Sequence, residues 1–221
     1  MTSSEQAVSA PQLEPLLEAA VLPGHDLDDE ALLRSVHFDG HDLAGRTARL
    51  VDLEGCRLDR VTLAGRRLGK ITISDCFLDG CDLANTHLTE ASMFRTVLHQ
   101  TRLTGWDVSG GVLRHVRFEG CSGTLASLRF SRLEHVEFVG CALAQADFHG
   151  ADLRGARFED CDLTGAQFSH ARMEGTRLSS CRLDGIRGAS GLVGCTIAAR
   201  DVLALTYTLA EALDITVTAD E

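Results

Sequence analysis

Large apolar residues return every five positions in this chain, and that interval excludes most folds. Stepping by five from Phe38 to Leu183 meets 30 positions in unbroken phase, of which only Ala48 and Gly123 are not large and apolar. Two residues before each lies a second column, mostly small or β-branched: Cys56, Val61, Cys76, Cys81, Ala91, Cys121, Cys141, Ala146, Ala151, Ala156, Cys161 and Ala166. Two residues after, glycine holds 14 of the 30 places. A helix repeats every 3.6 residues and a strand every 2.0, so neither yields this spacing. A chain that turns a corner every five residues does. The small residue and the central Leu or Phe then point inward, and the third position, often Gly, relaxes the backbone at the corner.

The units Ala146–Gly150 (ADFHG), Ala151–Gly155 (ADLRG) and Cys161–Gly165 (CDLTG) state the pattern most plainly. The chain resembles the pentapeptide-repeat family, whose unit is A-(D/N)-L-x-x. The resemblance implies an all-β solenoid, a right-handed quadrilateral parallel β-helix with four units per coil. Residues 31–188 would supply seven to eight coils, which stacked at about 4.8 Å make a rod about 35 Å long. Such a core is narrow, in keeping with an aromatic content of 5%.

A solenoid exposes its core at both ends and needs caps. Residues 1–30 read as a tail and short capping segment, polar and disordered over 1–10, with Gln12–Ala20 expected as a short helix. Residues 189–221 read as a C-terminal cap, with a helix over about 201–213 that Asp201 would N-cap. On that helix Val202, Leu205, Leu209 and Leu213 form one stripe, and Leu203, Tyr207 and Ala210 a second. Ile215–Val217 is expected as an added strand. The resemblance implies homodimerisation through this end, with the first stripe as the contact.

Seven of the eight cysteines sit at the small inward position, and Cys195 alone lies outside the repeat. Tetrahedral zinc needs ligands converging from several directions, which a straight column in a packed core does not offer, so buried free thiols are expected. His115 and His135 stack on the surface, but two ligands do not make a metal site. There is no phosphate loop opening a helix, no nucleophile elbow and no H-E-x-x-H pair, and a regular convex rod has no desolvated pocket for catalysis. The reading is therefore of a non-enzymatic protein without cofactor or metal. No run of about 18 apolar residues occurs and no basic region precedes an apolar stretch, so neither a membrane span nor a secretory signal is read, and the cytosol is the expected compartment.

The formal charge is −11, concentrated at the ends: residues 1–37 carry seven acids and one base, and residues 184–221 six and two. Direct nucleic-acid binding, which needs a basic footprint, is disfavoured. Sorting positions modulo 20 divides the exterior into four faces. The Phe38 face has an acidic column, Asp39, Asp59 and Asp79, partly countered by Arg57 and its successors. The Leu53 face alternates sign from coil to coil. The Ala48 face is irregular, with Arg46, Arg66, Thr86 and Trp106 at the small inward positions. A buried arginine without an acid is very costly, so either these coils bulge or an acid meets the guanidinium. The segment Asp26–Glu30 (DLDDE), or the leading helix, folding back over it is one reading. A site for an anionic partner, built from Arg46, Arg66, Arg67 and Lys70 with Arg49, is the other. Phe77 and Val97, outward and one coil apart with Phe94, Leu125 and Phe130 nearby, are a candidate interface. Gly123 at a central position marks an expected kink.

Two functions stand. One subset of the resembled family comprises rod-shaped dimers, similar to quinolone-resistance and antibiotic self-protection proteins, that mimic DNA and bind type II topoisomerases such as DNA gyrase. The alternative is a protein-interaction scaffold whose partner is unrelated to gyrase.

Overall fold

The computed structural model describes residues 8–217. Every repeat unit contributes a short extended segment, and segments 20 residues apart pair in parallel: Leu53 with Ile73, Ile73 with Met93, Met93 with Leu113, and Leu113 with Leu133. The product is a parallel β-solenoid of about nine turns. Two turns beyond the expected range account for the larger number. Glu18–Ala19, inside the stretch expected to be helical, is instead a strand pairing with Val36 and His37, eighteen residues on. At the other end Thr196–Ile197 pairs with Arg177 and Leu178, nineteen residues back. Extending along the open strand edge pairs the Glu18 and Ala20 N–H groups with the Ser35 and His37 carbonyls, at 2.8 Å each, and covers that edge, whereas an isolated helix of nine residues is marginal in water.

The corners adopt left-handed backbone whatever residue occupies them. Leu50, Lys70, Leu125 and Phe130 have φ of 59, 55, 61 and 55°. At Gly150 the absence of a side chain is required: a Cβ would lie 2.5 Å from the ring of Phe130, which rests on it. Gly123 does not kink the rod. Its N–H donates to Ala142 at 2.7 Å within an unbroken ladder, and Leu143 fills the missing volume, since a Cβ at Gly123 would come within 2.9 Å of its Cδ2.

The core changes character along the rod. In the C-terminal half Phe118, Phe138 and Phe158 stack with centroids 4.7 and 4.8 Å apart, and Phe148 lies on Phe168 at 5.2 Å. The edge of Phe148 meets the Phe158 ring at 88°. Ring stacking at one coil spacing and edge contact across the core satisfy both aromatic geometries at once. Beside these rings Cys121, Cys141, Cys161 and Cys181 form a column of free buried thiols. Each Sγ donates to the carbonyl 23 residues earlier, at 3.3–3.5 Å. Burial pushes the Cys81 thiol up to about 11, the behaviour of an inert core thiol.

The C-terminal cap is tighter than a helix. Ala189–Leu192 and Ala199–Leu205 are 3-10 turns, followed by an α-helix over Thr206–Ala212. Gly191 lies so close to the last full coil that a Cβ would be 2.0 Å from the Phe168 carbonyl oxygen. Asp201 is not an N-cap: it sits within the second 3-10 turn and its carboxylate accepts the Cys181 N–H at 3.0 Å. Residues 215–217 form no strand. Of the expected disordered stretch, residues 1–7 lie outside the described residues.

Candidate interaction surfaces

The expected acidic column on the first face exists in register, Asp39 beside Asp59 beside Asp79, but it is not a continuous negative stripe. Arg60 pairs with Asp39. His37 Nε2 meets Asp59 Oδ2 at 2.7 Å, and Arg57 Nε donates to the same oxygen at 2.8 Å. Burial alone would raise the Asp59 pKa, but the hydrogen bonds from Arg57 and His37 outweigh it and hold the carboxyl below its usual range. His99 Nδ1 lies 2.7 Å from Asp79. The same rule recurs elsewhere on the surface: Arg102 meets Asp82 at 3.0 Å, Arg117 meets Glu137 at 2.7 Å and Arg182 meets Asp162 at 2.8 Å, each one coil apart. The exterior is a mosaic of such pairs, each worth a few tenths of a kcal/mol when exposed.

Phe77 and Val97 are adjacent as expected, yet neither is a free apolar surface. Both are half-buried, and the Arg57 guanidinium lies over the Phe77 ring at 4.9 Å. Phe94, three residues before Val97 on the strand Ser92–His99, is likewise roofed by Arg95 at 4.0 Å. Leu125 and Phe130 are at other corners and do not join the patch.

The irregular third face divides into two parts. Arg66 is fully buried. Its guanidinium donates to the Leu43 carbonyl at 2.6 Å and to that of Leu27, and lies 3.4 Å from Asp26 Oδ1, while Arg46 pairs with Asp26 from outside. Burial draws the Arg66 pKa down and Asp26 opposes that shift. The acidic segment thus folds over these two arginines, and Arg46 and Arg66 are structural. Thr86 satisfies its hydroxyl on the Leu63 carbonyl at 2.8 Å, and Trp106 is buried with its ring 6.0 Å from Phe118. Arg67, Lys70 and Arg49 remain exposed.

Residues 71–148 match the model of the pentapeptide repeat region, and residues 141–179 match that of the pentapeptide repeats, in eight copies. The chain belongs to the pentapeptide-repeat family. Among solved structures it is similar to HetL, a pentapeptide repeat protein involved in heterocyst differentiation regulation from the cyanobacterium Nostoc sp. strain PCC 7120. The two share 19% identity over 79% of this chain and 86% of that one, with a TM-score of 0.34. It is also similar to a trypsin-treated form of QnrB1, a plasmid-mediated fluoroquinolone resistance protein, at 19% identity over 98% of this chain and 100% of that one, with a TM-score of 0.32. A comparison with curated proteins gives no match.

In this pentapeptide-repeat protein the C-terminal stripe is divided. Leu205 is buried against the last coil, whereas Val202, Leu209 and Leu213 are exposed, together with Leu203 and Tyr207.

The Asp26 contact is the one the sequence reading offered for the acidic segment, and the 20-residue phase supports it, since Asp26, Arg46 and Arg66 are equal modulo 20. One feature escaped the sequence reading. The segment before Glu18 runs lengthwise along one corner: the Gln12 N–H donates to Asp75 Oδ1 at 3.0 Å, and Ser9 N–H reaches His115 Nδ1 at 3.4 Å. Arg95 grips Asp75 from the next coil and, with the Gln12 contact, holds its carboxyl below the usual range. No sequence period marks this contact. Among the described residues no cluster of three or more His, Cys, Asp or Glu is arranged to hold a metal ion, and no helix is long and apolar enough to cross a membrane.

Proposed function

We propose that this protein is a non-enzymatic binding rod of the cytosol that pairs with a second copy through its C-terminal end and presents its faces to a protein partner. The observation that carries this reading is the exposed apolar end: Leu203 is 81%, Tyr207 74% and Leu213 69% exposed, on an element that closes the core with Leu205. A cap needs only its inner side to be apolar, so large side chains on the outer side point to burial in an assembly. The free thiols accord with a reducing compartment.

Mimicry of DNA toward a type II topoisomerase such as DNA gyrase is the second reading, favoured by the charge of −11 and the Asp39–Asp59–Asp79 column. The ion-pair mosaic favours instead a partner unrelated to gyrase, because a mimic needs connected negative potential. Gyrase supercoiling titrated with the protein, with and without a fluoroquinolone, separates the two. Inhibition or drug protection that disappears on truncation before Asp201 supports the gyrase reading, and no effect at about micromolar protein, a range in which specific protein pairs associate, supports the scaffold.

A further inference from the structure

On the third face the N-terminal coils carry cations that the fold leaves uncompensated. Strands Thr47–Arg49, Arg67–Gly69 and His87–Thr89 lie side by side in a three-stranded sheet, with Arg49 opposite Gly69 and Gly69 opposite Thr89. Every surface residue in this solenoid has a neighbour one coil away, and elsewhere that neighbour is repeatedly the counter-ion. Here it is not. The coil-neighbours of Arg67 are Thr47 and His87, and Asp29, one coil before Arg49, turns its carboxylate to the Arg49 backbone N–H at 2.8 Å. Among the described residues neither guanidinium has an acidic partner, and Lys70 reaches only Glu90, at 3.9 Å. Gly69 contributes no side chain and the Arg49 side chain lies across it, so the three cations border a shallow hollow of about 270 Å³ with Thr47 and Thr89 at its rim and Glu90, the partner of Lys70, as its one acid. Leu50, 51% exposed, sits at the adjoining corner one coil before Lys70.

We infer that this hollow is a recognition site for an acidic peptide segment of a protein partner, one or two carboxylates seated between the Arg49 and Arg67 guanidinium groups, on the side away from Glu90, and a neighbouring apolar side chain against Leu50. Guanidinium forks match carboxylates bidentately, and the hollow accommodates one or two such groups. A nucleic-acid strand fits less well. Its regular phosphate charge would run from the three cations onto Asp28, Asp29 and Glu30 on one side and Asp107 on the other, all on a chain of charge −11, whereas a short peptide stays within the hollow. The site is distant in sequence from the C-terminal apolar end and does not depend on pairing there.

The test is fluorescence anisotropy of the full-length protein with a fluorescein-labelled Glu-Glu-Leu-Glu-Glu peptide at low salt. A Lys-Lys-Leu-Lys-Lys peptide and a hexathymidylate serve as comparison probes. The acidic peptide binds and weakens as salt rises. The Arg49→Gln/Arg67→Gln double variant loses about tenfold or more in affinity, as expected for two charge-assisted contacts. Gly69→Glu, which places a carboxylate in the hollow, blocks binding, while Arg102→Gln/Arg182→Gln, beside Leu103 and Leu183 on a different face, leaves it unchanged. All these positions are surface-exposed or side-chain-free, and far-UV circular dichroism verifies the fold of each variant. Absence of saturation at about millimolar protein, affinity indifferent to the double variant, or hexathymidylate binding as tightly as the acidic peptide would each overturn the assignment.

Discussion

The first coils and the last coils share one backbone frame and solve the problem of filling it differently. From Val108 to Ile186 the interior is stacked phenylalanine rings and a column of thiols, with small or β-branched residues, mostly Ala and Cys, beside the large ones. From Leu27 to Trp106 the corresponding column of the third face holds Arg66, Thr86 and Trp106 inward, while Arg46, expected inward from its phase, turns out to solvent. Repetition along the axis makes the first solution self-supporting: each ring is covered by its equivalent one coil away, so stability accumulates from neighbour to neighbour. The irregular half depends on one specific contact from outside the repeat, Asp26 on Arg66. The difference teaches that regular coils act as a girder, whereas departures from the pattern place unusual groups, and the exposed cations of Arg49 and Arg67 belong to the departing half.

The comparison is broken most forcefully at Asp26. Asp26→Ala leaves the buried Arg66 uncompensated and is expected to cost about 3–5 kcal/mol. Hydrogen exchange should show protection lost over residues 31–68 and retained over 128–178. Adding Arg66→Met, which replaces the charge with an apolar chain of similar length, should recover most of that loss. In the regular half no single polar contact has such weight: Asp162→Ala, removing an exposed pair with Arg182, is expected to cost about 1 kcal/mol or less in denaturant titration. Phe138→Leu interrupts the three-ring stack and should cost about 1–2 kcal/mol by the same measurement.

A pH titration sharpens the contrast further. The Asp75 carboxyl is held below its usual range by Arg95 and by the Gln12 N–H. A depressed folded-state pKa gives stability that is fully present above the unfolded value of about 4 and lost as pH falls through the folded one. Exchange of the Gln12 amide should therefore be protected at neutral pH and lose protection in that acid window. Asp75→Asn should remove the protection at neutral pH as well. The smallest effect is expected at a corner. Leu125 holds φ 61°, so Leu125→Gly relieves left-handed strain but adds unfolded-state freedom, and thermal melting should move by less than about 1 kcal/mol equivalent.

Most of the repeat region was legible because its core is one-dimensional. A residue's phase modulo 5 decides whether it faces inward, and its phase modulo 20 decides its neighbours, so the cysteine column, the Asp39–Asp59–Asp79 column and the adjacency of Phe77 and Val97 could all be read from spacing. Two kinds of information were not in that phase. Long side chains choose among neighbours, and Arg57 folding over Phe77 turned a candidate patch into a covered one. The ends leave the 20-residue phase, with pairing offsets of eighteen at Glu18 and nineteen at Thr196, so the N-terminal strand, the lengthwise segment and the 3-10 cap had no periodic signal. Asp26 lay within reach of the phase but before the first recognisable unit. The candidate site was half visible: the cluster of cations was apparent, but which of them Asp26 engages, Arg66 within the core and Arg46 from outside, and which three it leaves open do not follow from spacing.

Sedimentation equilibrium of the full chain tests the binding-rod account most directly. The account predicts a species of twice 23.8 kDa at about 10–100 μM, converted to a folded monomer by Leu203→Asp with Tyr207→Asp. A wild-type protein that sediments as a 23.8 kDa monomer across that range, or a dimer indifferent to both substitutions, would contradict it.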